Sequence, residues 1–143
     1  MPGLSGRLMP LPVSWVLTPA AGVTQLSADK TVKVFKAPFA CQVIDAGHVH
    51  HEIALTKSAT NYYDIHLHNG GAAGTGTSII ATKSFKSTTV AAGDVTALVL
   101  SGTVAWHKLD AGDYVNALYD ETGALTGGVI FRGCFFFQYG YSQ

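Results

Sequence analysis

Five of the six histidines fall in two short stretches, His48-Val-His50-His51 and His66-Leu-His68, and these are the chain's one hint of site chemistry. In an extended strand, residues two apart share a face. On the first stretch Val49, Ile53 and Leu55 share one side, leaving His48, His50 and Glu52 on the other. On the second, Tyr63, Ile65 and Leu67 point inward, leaving Tyr62, Asp64, His66 and His68 outward. If the two strands are neighbours, His48, His50, His66 and His68 line one outward patch with two carboxylates, a donor set suited to Zn²⁺, Ni²⁺ or Cu²⁺. Metal catalysis of the cupin kind needs a His-x-His and a more distant Glu turned into a barrel mouth. Here Glu52 follows His50 by only two positions, and alternation turns the imidazoles away from the core. The reading adopted is a polar outer face or an inter-subunit contact, with the four histidines as weak metal candidates. No catalytic residue and no cofactor are assigned. Imidazoles ordinarily titrate near ~6.5, so such a contact would respond to pH.

The remaining motifs do not add up to an enzyme. Gly74-Thr-Gly-Thr-Ser78 lacks the lysine and following helix of a phosphate loop. Cys41 and Cys134 are too few for a disulfide framework and lie in apolar runs without an adjacent base, which favours packing thiols over a bridge. Asp45, Asp64, Asp110 and Asp120 are spaced as turn or solvent-facing acids rather than as a glycosidase pair. Tyr139-Gly-Tyr141 could stack on a sugar, although tyrosine at a protein interface is the commoner use.

The elements that must position these residues read as β throughout. A chain of 143 residues forms one domain and buries roughly 68–70% of its unfolded surface without staples. Charged residues make up 13% of it, the net charge is zero and the mean hydropathy is +0.25. A surface so weakly charged suits a subunit covered by neighbours better than a freely diffusing monomer. There is no basic stripe for nucleic acid and no apolar run long enough to span a membrane. Pro10 and Pro12 interrupt the apolar stretch after Arg7, which argues against a signal peptide.

Residues 1–28, rich in Pro and Gly, read as an extended N-terminal arm outside the core. Trp15, Val16 and Leu17 make that arm adhesive, so it is expected to lie on its own domain or on a neighbour. From residue 29 to 143, short alternating runs separated by Gly, Asn, Asp and Ser predict a jelly-roll β-sandwich, ahead of a six-stranded barrel or an immunoglobulin-like sandwich. Strands are expected at 31–35, 41–55, 62–68, 78–82, 86–90, 97–100, 103–106, 114–119 and 129–138. On the last of these, Phe131, Phe135, Phe137 and Tyr139 share one face while Ile130, Cys134 and Phe136 share the other. A strand apolar on both faces is either central in a sandwich or packed on another subunit. The second option makes Phe131, Phe135, Phe137 and Tyr139 a contact with another subunit, with Trp15, Val16 and Leu17 lying on a neighbour.

Two segments resemble known families. Val34-Phe-Lys-Ala-Pro-Phe-Ala-Cys-Gln-Val-Ile44 resembles the opening of jelly-roll decoration (cement) proteins of tailed-bacteriophage heads. Trp106-His-Lys-Leu-Asp-Ala-Gly-Asp-Tyr-Val115, with Phe131-Arg-Gly-Cys-Phe-Phe136, is similar to the close of C1q/TNF-like jelly rolls. Together these cover about 45 residues. The resemblance implies a non-enzymatic virion protein on the capsid exterior, a homotrimer whose partner is the major capsid protein. The alternative it implies is a C1q-like trimeric receptor- or glycan-binding module of a phage tail or fibre.

Overall fold

The computed structural model of the chain describes residues 10–17, 30–51, 58–86, 89–123 and 131–139. Among the described residues ten strands run in order: β1 (Leu11–Leu17), β2 (Lys30–Lys36), β3 (Cys41–His51), β4 (Tyr62–Gly71), β5 (Ser78–Ser84), β6 (Val95–Ala97), β7 (Val99–Leu100), β8 (Lys108–Leu109), β9 (Tyr114–Thr122) and β10 (Phe131–Tyr139). A 3-10 turn, Val104–His107, precedes β8. All pairings are antiparallel. One sheet has the order β1-β10-β3-β6, with β8 also on β3, and the other has the order β2-β9-β4-β5-β7. Leaving aside the short β7 and β8, the first sheet interleaves the first, last, third and sixth strands, and the second sheet takes the rest. This is the double Greek key of a jelly roll.

The alternation of β10 decides its place. Gly133, Phe135 and Phe137 face the interior, while Arg132, Cys134, Phe136 and Gln138 face out. The strand lies between β1 and β3, so the first of the two options for a doubly apolar strand holds: it is central in a sheet. Phe35 from the opposite sheet packs edge-on to Phe135 at 5.9 Å and against Phe137 at 4.8 Å. At the other end of the core Tyr63 stacks on Phe85 at 4.6 Å and on Tyr119 at 5.5 Å. Val43, Ile65, Leu67, Ile80 and Val115 fill the space between and are fully enclosed.

The extended arm is revised. Leu11–Leu17 is the first strand of the sandwich, paired along its length with β10, and Trp15 and Leu17 are buried in the core. Pro12, inside this strand, is compatible with it because β1 is an edge strand, where sheets accommodate proline. Trp15 sits opposite Gly133, and a Cβ on that glycine would collide with the indole. The rest of 1–28 lies outside the described residues.

Two turns are built alike. In Ala91-Ala-Gly-Asp94 and Asp110-Ala-Gly-Asp113 the glycine takes φ 90° and 94°. The closing aspartate accepts the first residue's N–H, at 2.7 Å in one turn and 2.8 Å in the other. Each carboxylate thus reaches back to the start of its turn and closes it.

Three expected strands change. Residues 103–106 alternate like a strand but form the 3-10 turn, because the Asn69 side chain on β4 donates to the carbonyls of Trp106 (3.3 Å) and Lys108 (2.8 Å). The expected strand at 97–100 breaks at the buried Leu98, where the chain passes from one sheet to the other as β6 and β7. In 86–90 the described residues hold no strand longer than the single bridge at Val90.

Candidate interaction surface

The four-histidine patch does not form. β3 belongs to one sheet and β4 to the other, so outward side chains on these consecutive strands emerge on opposite sides of the sandwich. His48 is exposed and His50 half-buried on the first sheet. On the second, His66 Nδ1 bonds Thr82 Oγ1 at 2.8 Å, and its Nε2 lies 3.9 Å from Asp120 Oδ2. His68 stacks on His66 with ring centroids 5.6 Å apart. Burial, and secondarily the His66 neighbour, push the His68 pKa below that of an ordinary imidazole. Among the described residues no three His, Cys, Asp or Glu side chains form a group that could hold a metal ion. Glu52 lies outside those residues.

His51 is the histidine that the outward-facing argument leaves out. It has the parity of Val49, which was the signal available, and it is buried. Its Nε2 is 2.8 Å from the Tyr63 hydroxyl, and its ring stands edge-to-face with Phe85 at 4.9 Å. Burial holds its pKa below the usual histidine value and raises that of the Tyr63 phenol, the latter with a smaller push from Tyr119.

On the outer face of the first sheet, Ser14, Cys134 and His48 stand side by side, and Val16, Arg132 and His50 form the next row. Together they line a shallow groove of about 300 Å³. A second hollow, of about 510 Å³, lies beside Pro10, Ile44, Asp45 and Phe136. Neither cysteine is bridged. Burial pushes the Cys134 thiol up. Burial, with a smaller contribution from Asp113, pushes Cys41 up to about 11, so both thiols are poor nucleophiles.

Of the expected contact residues, Trp15, Leu17, Phe135 and Phe137 are consumed by the chain's own core and offer no surface to a partner. The correction has a simple cause: once β1 joins the sheet, β10 has neighbours on both sides and a second sheet beneath it. Val16 remains exposed on the outer face. Phe131 and Tyr139 pair through their backbones with His51 and Cys41, and their side chains lie outside what is described. Among the described residues, Leu11 and Phe39 are also exposed, and four further large apolar side chains lie in 95–106, the segment in which the chain passes from one sheet to the other. Val95 is 60% exposed, Val99 62%, Val104 54% and Trp106 40%. Sequence alternation could not reveal this flank, because it arises where the chain leaves one sheet for the other.

No protein-family model matches the chain, and no curated protein matches it. A solved structure described as "Structure of infectious bursal disease virus Gx strain" is similar over 92% of this chain, at 12% identity and a TM-score of 0.38. The match covers 33% of that chain, so this protein spans about a third of its length.

Proposed function

We propose that the protein is a non-enzymatic structural subunit of a virion, a jelly roll that associates with copies of itself and with a capsid shell. The observation that carries this reading is the apolar flank of Val95, Val99, Val104 and Trp106 on a chain with only 13% charged residues. Apolar area buried between subunits stabilises an assembly by about 25 cal/mol per Å², and three-fold repetition multiplies a weak contact through avidity. Its resemblance to phage-head decoration proteins supports a trimer on the capsid exterior, with the major capsid protein as partner. The contact residues proposed are Val95, Val99, Val104 and Trp106, with Val16 on the outer sheet face. The test is co-sedimentation of the purified chain with undecorated tailed-phage heads. Saturable binding that weakens when Val99 and Trp106 become Ser is expected. Absence of binding to any such particle would remove the capsid role.

A second reading, a glycan-binding tip, draws on Trp106. An exposed indole on a turn held by Asn69 is a flat surface on which a sugar ring can stack. Quenching of Trp106 fluorescence by a host polysaccharide, together with failure to bind heads, would favour it. The cupin reading has no support in the described residues, since the histidines it needs stand on opposite faces.

A further inference from the structure

We propose that His51 is an acid-operated latch between the two sheets. It projects from β3 of the first sheet into the core and meets Tyr63 on β4 of the second, Nε2 to hydroxyl, at 2.8 Å. That bond is a polar tie across the sandwich, among the rings of Phe85, Tyr63 and Tyr119. The backbone of the same residue anchors the turn before β6. His51 N–H donates to Asp94 O at 2.9 Å, and Gly93 N–H donates to His51 O at 2.8 Å. One residue therefore joins the sheets to each other and fastens the turn that leads into the exposed flank.

A neutral imidazole suits this site, with one nitrogen bonded to the phenol. A second ring proton brings a full charge into a buried aromatic enclosure, where desolvation makes it costly. Among the described residues, the titratable groups around it include Tyr63 and Tyr119 from the second sheet, Asp94 from the turn and His50 on its own strand. Tyr119 is bonded to Glu121 at 3.0 Å, and Asp94 Oδ2 is engaged by Ala91 N–H at 2.7 Å. Asp94 favours the charged ring, but burial outweighs it and the net direction is downward. The opened chain, whose histidine titrates near ~6.5, thus binds the proton more readily than the closed one. The latch contributes its full stability above that pH and loses it as pH falls below, toward the depressed folded value. Across that interval the closed-to-open equilibrium shifts by at most about tenfold per pH unit.

The experiment is hydrogen exchange of the full chain at pH 6.5 and 5.5, corrected for intrinsic rates, on wild type, His51→Gln and Tyr63→Phe. Wild type is expected to lose up to about fivefold in protection over 91–97 and the facing ends of β3 and β4. His51→Gln flattens that loss. Tyr63→Phe keeps it, because the buried imidazole remains. The contribution of His68 is common to all three and cancels in the comparison. An equal acid response in His51→Gln and wild type overturns the proposal. Should His51→Gln fail to fold, an NMR titration of the His51 ring in wild type decides: a midpoint below ~6.5 supports the latch, and one at or above it refutes the latch.

Discussion

The Trp15–Gly133 pair makes the sharpest test of β1 as part of the core. Trp15 is 3% exposed, and a Cβ on Gly133 would overlap its indole carbons. Trp15→Ala should cost about 3–5 kcal/mol, the usual loss for truncating a buried large aromatic. That is a large share of the ~5–15 kcal/mol that holds a domain together. Gly133→Ala in the native background forces the ring out of its notch, an overpacking penalty of about 1–3 kcal/mol. In the Trp15→Ala background the notch is empty, and alanine is then a better strand residue than glycine. The double variant should therefore be less destabilised than the sum of the singles by about 1–3 kcal/mol. Urea unfolding with a shared m-value gives all three differences. Additivity to within ~0.5 kcal/mol would mean that the two residues do not touch, and that β1 is not seated on β10 as described.

Three further outcomes follow from the geometry. Asp94→Ala and Asp113→Ala should each cost about 1 kcal/mol in urea unfolding, because each removes the acceptor closing its turn, while Asn replacements should cost less. Asn69→Ala should free the 3-10 turn at a cost of about 1–2 kcal/mol and change the emission of Trp106, both of which fluorescence-detected unfolding reads. Cys41 should resist thiol reagents at pH 8 until the chain unfolds, since a pKa of about 11 leaves a thiolate fraction on the order of one in a thousand; labelling of the native chain as fast as free cysteine would contradict its burial.

Much of the fold was legible because the long strands alternate cleanly. Tyr62–His68 and Tyr114–Tyr119 were placed to within a few residues, since Tyr63, Ile65 and Leu67 and Val115, Ala117 and Tyr119 keep strict parity. What parity cannot express is which sheet a strand joins. His48 and His66 sit on consecutive strands and read as neighbours, yet this sandwich sends β3 and β4 to opposite sheets. The same blindness moved Phe135 and Phe137 from core to interface: a doubly apolar strand is central or inter-subunit, and only the pairing with β1 decides. Pro10 and Pro12 hid that strand, although an edge tolerates them. Thr103–Trp106 shows the remaining failure, a local strand pattern overridden by a distant side chain, Asn69.

The measurement that bears most directly on an assembling virion subunit is the molar mass of the full chain by light scattering, alongside a Val99→Ser, Val104→Ser, Trp106→Ser variant. The account predicts about 45 kDa for the wild type, three chains of 15.0 kDa, and the mass of one chain for the variant. A wild type that stays at the mass of one chain at every concentration, or a variant that remains trimeric, would contradict it.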